Sequence, residues 1–280
     1  MNPQSGILPG IPNHGRFIEL RAKSGTGIGA LAALAPSENL VVGIGPRLTA
    51  QVGYVDGFHG FKAISGMVDI PSTQADLLLW LRGDDRGDIA THARHLLQNL
   101  PDFEPVRMVN GFKYGVDLDI GMDLSGYEDG TENPVDDAAM AAAFASNGSS
   151  FLSIQTWVHD LAGFEAHSPA ERDDIFGRRH SDNEEIEDAP AFAHVKRTAQ
   201  ESFSPEAFVL RRSMPWSEGG QEGLVFTAFG HSLAPFEALL NRMAGVEDGI
   251  LDGLFTFSHP ISGAHYWCPP VKDGQLLLTA

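Results

Sequence analysis

The chain has a single cysteine, Cys268, in 280 residues. That excludes an intrachain disulfide and any metal site built on clustered cysteines, and a reducing compartment is the simplest setting for it. Positive charge is also scarce: 19 Lys and Arg stand against 37 Asp and Glu, a formal net charge of −18. So acidic a chain repels phosphate backbones, which argues against nucleic acid as a partner. Long hydrophobic runs are missing. The most apolar stretches, 28–35, 77–81 and 138–145, fall far short of the roughly 20 residues that a membrane-spanning helix needs. The opening MNPQSGILPGIPNHGRF has no basic segment followed by an apolar core, and no Arg pair lies near it. A soluble, cytoplasmic protein is therefore expected, with no membrane partner.

What is present fits a folded chain: 42% hydrophobic and 20% charged residues. The length suits two compact modules or one large domain. Phe17–Arg21, Leu40–Ile44 and Ala75–Arg82 read as strands, Gly27–Leu34 as a small-residue helix, and Asp88–Leu100 repeats apolar residues at helical spacing. The second half repeats the pattern. Phe151–Val158, with Leu152, Ile154 and Val158 on one face, Phe208–Ser213 and Gly223–Phe229 read as strands, and Ser232–Met243 as a helix. LLLWLRGDDRGDIATHARHLLQNL and GLVFTAFGHSLAPFEALLNRMAG both run strand, turn, amphipathic helix at matching places. The expectation is an internal duplication into two α+β modules on antiparallel sheets, divided near the Gly/Ser-rich 146–150. The acidic stretch 171–190 reads chiefly as a solvated loop.

Three segments hold candidate chemistry. In Gly126-Tyr127-Glu128-Asp129-Gly130-Thr131-Glu132-Asn133-Pro134, Asn133 reads as a helix N-cap and Pro134 as the first helical position. Asp136 and Asp137 then fall in the first turn, and the helix runs over 138–146 to a stop at Asn147-Gly148. Capping leaves Gly126 and Asp129-Gly130-Thr131 unexplained; glycines beside an acid let a backbone approach a flat ligand and aim the carboxylate across it. A divalent-cation loop is a rival, without the EF-hand spacing. In Phe208-Val209-Leu210-Arg211-Arg212-Ser213, period two places Val209, Arg211 and Ser213 on one face, so one Arg points to an interior or a site. The alternative is an exposed edge with both Arg solvated. His194 lies in an apolar-flanked segment after the acidic stretch, with His180 the next candidate. No HExxH, CxxC or CxxCH pattern supports a zinc site or covalently attached haem.

Together these segments resemble the dye-decolourising peroxidases, a family of haem enzymes. GYEDGTENP is similar to the family's GxxDGT signature, AHVKRT to its proximal-histidine segment, VLRRSMP to its distal-arginine segment, and GILDGLFTFS-HP to its C-terminal signature. The matches run in order from 126 to about 270 and look most like the compact bacterial B-type branch; the first half fits less specifically. The resemblance implies two ferredoxin-like modules, 1–148 and 149–280, in a dimeric α/β-barrel-like arrangement, with one haem b per chain in the second. It assigns Asp129 as distal aspartate, Arg211 as distal arginine and His194 as the axial iron ligand. Gly130, Thr131, Arg178 and Ser213 fall at cofactor-binding positions, Arg178 as a propionate partner and Ser213 where some members have Asn. Asp252 resembles an acid that hydrogen-bonds the proximal histidine.

The implied activity is reduction of hydrogen peroxide with oxidation of dyes, phenolics or other organic donors through an oxyferryl species, in a homo-oligomer. A haem-handling protein without peroxide turnover is the alternative, such as a carrier or an iron-removing protein. A non-haem structural protein, whose acidic loop only caps a helix, is another. Packaging in a nanocompartment has no evident tail in 276–280 to support it. Glu128 either lies close enough to raise the pKa of Asp129 or, as the divergence of adjacent side chains in extended chain favours, points away.

Overall fold

In the computed structural model, which describes residues 1–115 and 121–278, strands from both halves join one antiparallel sheet. Its main strands are β1 (His14–Ala22), β2 (Leu40–Ile44), β3 (Leu77–Gly83), β4 (Phe103–Phe112), β5 (Ser150–His159), β6 (Met214–Glu218), β7 (Gln221–Gly230) and β8 (Ala264–Cys268). The first four lie in the order β4-β1-β3-β2 and the last four in the order β8-β5-β7-β6, the same ferredoxin-like order twice. Because β8 also pairs with β2, and β4 with β6, the two sheets close into a barrel. The fold is α+β, with peripheral helices.

The barrel interior is solid. Phe17, Leu78, Trp80, Val109, Leu152, Ile154, Val158, Met214, Trp216, Val225 and Tyr266 fill it. Strand β3 is buried on both faces: Leu78 and Trp80 point inward, while Leu77, Leu79 and Leu81 pack outward with Ile89 and Ala93 of helix α1 (Arg86–Gln98). That is why LLLWL reads as an unbroken apolar run and not an alternation. Asp85 caps α1, accepting hydrogen bonds from the backbone N–H of Gly87 and Asp88.

Helices α2 (Asp136–Ala143), α3 (Pro169–Phe176) and α4 (Ala234–Met243) complete the frame. Several expected elements change. The helix over 27–34 is a single 3-10 turn at Ile28–Leu31. Helix α2 is shorter than read and is capped by Val135, not Asn133; it stops at Phe144 rather than at Asn147-Gly148. The strand over 208–213 shrinks to Leu210–Arg211. Ser168, just before the acidic stretch, and Glu171 form a reciprocal capping box that starts α3, so 171–176 of that stretch is helix and not loop. Among the described residues, no helix is long and apolar enough to cross a membrane.

Candidate functional site

With the barrel interior filled, the space for a ligand lies on the outer face of the second half-sheet. There Gln155, Trp157 and His159 of β5 and Leu224 and Phe226 of β7 face a cavity of about 480 Å³. Phe236, Leu239, Leu240 and Met243 of α4 line it as well, with Leu254 and Phe257. Most of the exposed wall area is apolar, but polar groups are many; they include the residues the sequence singles out, Asp129, Thr131, Arg178, His194 and Arg211, with Gly130 beside them.

His194 opens the helical turn His194–Arg197. Arg197, 5% exposed, anchors that turn through two 2.7 Å bonds to Asp248, whose carboxyl it holds down to about 2, and a third bond to the Arg242 carbonyl. The His194 Nδ1 lies 2.8 Å from Oδ2 of the buried Asp252, whose other oxygen accepts the Leu254 N–H. Asp252 carries no donor of its own when ionised, so Nδ1 holds the proton and Nε2 keeps its lone pair.

Asp129 comes from a small hairpin in which Gly121 and Met122 pair with Asp129 and Glu128. Tyr127 fastens the hairpin to α3, its ring stacked 4.0 Å from Phe176 and its hydroxyl donating to Asp173. Gly126 adopts φ +90 in the turn, a conformation that needs glycine, and this accounts for the residue that capping left unexplained. Gly130, at φ +93, has the Asn133 amide against it; an added Cβ would sit 2.9 Å from Nδ2. That amide grips the next functional residue. Asn133 Oδ1 accepts the Arg211 N–H and Nδ2 donates to the Arg211 carbonyl. The residue expected to cap a helix instead pins the strand bearing Arg211.

Burial pushes the Asp129 carboxyl above its ordinary range, and Asp123 adds to the effect, while Arg211 and His194 oppose it. The neighbouring acid that matters is therefore Asp123 and not Glu128, whose carboxylate turns away to the Asn183 amide. Arg211 makes no side-chain hydrogen bond to the described residues, and its buried Nε is unpartnered. Its neighbour Arg212 points the other way, to the carbonyls of Leu8 and Pro9. Ser213 stays outside the large cavity. It lines a small second one with Asp129, Gly130, Arg211, Gly10 and Ile11. Arg178 lies at the large cavity with its guanidinium already bound to Glu132, Glu185 and the Asn183 carbonyl. His180 does not line the cavity; its ring packs on Tyr127.

A family model described as Dyp-type peroxidase, C-terminal, matches residues 121–273, which hold Asp129, Arg178, His194, Arg211 and Asp252. The chain belongs to the Dyp-type peroxidase family. It is 29% identical over 241 residues to the dye-decolorizing peroxidase of Mycobacterium tuberculosis, covering 81% of this chain and 69% of that one. The Brevibacterium linens dye-decolorizing peroxidase is 30% identical over 239 residues, covering 79% and 64%. The matched region thus spans about two thirds of these curated relatives. A variant of Rhodococcus jostii RHA1 DypB in complex with heme superposes with a TM-score of 0.84 at 25% identity, over 96% of each chain.

The site suits such a group. Among the described residues, no cluster of three His, Cys, Asp or Glu exists to hold a bare ion. An iron bound through one imidazole must bring its other ligands with it, as a porphyrin does. A roomy cavity of largely apolar wall, a histidine with a free Nε2 and an orphaned buried Arg211 Nε are the features that would receive it.

Proposed function

We propose that the chain is a haem b peroxidase that reduces hydrogen peroxide to water and oxidises organic donors such as dyes and phenolics. The observation that carries this reading is the presence in one cavity of an Asp-backed histidine and of both Asp129 and Arg211, whose side chains bond to no other side chain among the described residues. Bound haem would supply the redox-active iron that takes up the oxidising equivalents of peroxide. His194 would hold it through Nε2, and Asp252, by drawing on the Nδ1 proton, makes that nitrogen a stronger donor. Asp129, when ionised, accepts a proton from peroxide on a carboxylate oxygen and returns it to the departing oxygen, which leaves as water. Arg211 places fixed positive charge where negative charge develops as the O–O bond breaks. The donor then supplies two electrons, and two protons complete the second water.

Arg178 would meet a propionate only by sharing itself with Glu132 and Glu185. Gly130 and Thr131, at the cavity wall, would offer backbone to the group. Ser213 would act from the small cavity that it lines with Asp129 and Arg211. The division into modules at 148/149 belongs to the same reading.

The test is haem loading followed by one equivalent of hydrogen peroxide in a stopped-flow spectrometer. A rapid change in the haem spectrum that a phenolic donor reverses supports the peroxidase. A chain that binds haem stoichiometrically and leaves peroxide unreacted is a haem-handling protein instead. His194→Ala should retain haem weakly and lose the axial signal; an unchanged spectrum would remove His194 from the site.

A further inference from the structure

Three side chains at the cavity play no part in that mechanism, yet they are joined to one another. Asp123, 8% exposed, lies on the same hairpin as Asp129, and its N–H bonds the Tyr127 carbonyl, so residues 121, 123, 127 and 129 share one face. Its Oδ2 lies 3.1 Å from Nε2 of His159, and Oδ1 accepts the Ser125 N–H. The His159 Nδ1 lies 2.6 Å from Oγ of the buried Ser258. In the neutral ring this arrangement has one consistent proton order: Ser258 donates to Nδ1, and Nε2–H donates to Asp123. Asp123, His159 and Ser258 all line the cavity that Asp129 lines.

We propose that Asp123, held by His159 and Ser258, is a positioning residue that governs when Asp129 carries a proton. The physical basis is a division of labour between two carboxylates in one pocket. Asp123 receives a side-chain donor on one oxygen and a backbone donor on the other, whereas Asp129 has only the Gly130 N–H and no side-chain donor among the described residues. Burial works against ionisation at both, but His159 and Ser125 carry Asp123 below its ordinary range while Asp129 stays above its own. Environments that separate two neighbouring acids in this way mark one as a fixed charge and the other as the proton carrier. The charge on Asp123 then makes Asp129 a stronger base, better able to take the first proton from peroxide. The other charged or titratable groups acting on Asp129 are Arg211 from its strand and His194 from its helical turn; Glu128 is engaged by Asn183.

The proposal rests on the peroxidase reading only for its consequence in turnover. Its core is a coupling within the protein, which can be measured in the full chain without haem. Carbon-13 carboxyl titration by NMR, with the Asp129 signal identified through Asp129→Asn, is the direct readout. Asp123→Asn should lower the Asp129 midpoint by on the order of half to one pH unit, the effect of removing one nearby charge from a partly desolvated site. His159→Phe, which strips Asp123 of its donor without changing bulk greatly, should move it the same way. His159→Gln, which restores an N–H, should bring it back. In the haem-loaded chain the acid-side fall of the peroxide reaction should follow the same shifts. An Asp129 midpoint identical in wild type and His159→Phe overturns the proposal, even if Asp123→Asn fails to fold. So does a rate limb that moves with no matching carboxyl midpoint. If the loaded wild type ignores peroxide while the midpoints shift as expected, the coupling stands and the peroxidase reading fails.

Discussion

Arg211 and Asp129 share a cavity but contribute to peroxide cleavage by different physics. Arg211 offers charge that no ordered water replaces, and losing one such stabilising donor costs about 3–4 kcal/mol. Asp129 moves a proton, worth roughly a hundred- to ten-thousand-fold, and water can take over part of that task. Arg211→Leu should therefore slow the reaction with peroxide at least as much as Asp129→Asn, measured by stopped flow at equal haem occupancy. Wild-type rates in both variants would dismiss this mechanism. Asp129 also burdens the fold. A carboxyl that binds its proton more tightly folded than unfolded costs stability when ionised, so stability falls as pH rises from the ordinary carboxylate range through the raised value. Asp129→Asn should raise Tm near neutral pH and leave it little changed at roughly pH 3, where the unfolded carboxyl is also largely protonated. Thermal melts at the two pH values check the sign.

At the scale of elements, the joints of the barrel depend on small residues. Where β2 meets β8, a Cβ on Gly43 would lie 2.6 Å from the Cβ of Tyr266. Where β4 meets β6, a Cβ on Gly111 would lie 2.9 Å from that of Met214. Each joint has a single ladder pair, Ile44 with Trp267 and Gly111 with Trp216, and the buried Gln4 side chain bridges the first by bonding Val42 and the Pro269 carbonyl. Gly43→Ala and Gly111→Ala should each cost about 1–3 kcal/mol, as overpacking does, and lower Tm by several degrees. Calorimetry decides it, and an unchanged Tm would mean that the joints relax freely.

The same elements show what the sequence made legible. Strand β2 shows in the sequence as a short apolar run with the observed bounds, and Leu152, Ile154 and Val158 share the inner face of β5, as their even spacing dictates. The barrel closure was not readable from periodicity, since it depends on two long-range contacts; the resemblance supplied it. Asn133 carried a true cap signal, but tertiary structure took its amide for the Arg211 strand instead. Ser168-Pro169-Ala170-Glu171 was legible and was obscured by the acidic run after it. Asp129, Arg211 and His194 stood out only as a set of motifs. Asp123, His159 and Ser258 sit in three separate segments, and no spacing rule joins them.

Across the whole molecule, the net charge of −18 acts on anything that approaches. The cavity reinforces that field: Glu128, Glu132, Glu185, Glu187 and Glu201 line it, Arg178 is neutralised by two of them, and Lys196 is tied to the carbonyls of Glu187 and Ala189. Cationic donors should be drawn in and anionic sulfonated dyes held off. With haem loaded, kcat/KM for a cationic aromatic amine should fall as salt rises from about 10 to 150 mM, over which the screening length shortens from roughly 30 to 8 Å. For a sulfonated dye it should rise. Matching salt responses for both would show that the field plays no part.

The first residues of the chain give the molecule a vulnerability far from its helices. Gln4 is buried, bonded to Val42 and to the carbonyl of Pro269, and the segment beyond it is held through its carbonyls by Arg82 and Arg212. Gly10 and Ile11, at the end of that segment, form part of the wall behind Asp129 and Arg211. A protease that trims a dozen residues would thus spare the histidine and the large cavity, yet take Ile7 from the core, strip Arg82 of its carbonyls and admit bulk water to the back of the acid–base pair. Haem content and activity would part company in such a clipped sample. An intact mass is accordingly the first thing to record for any preparation whose colour is right and whose turnover is low.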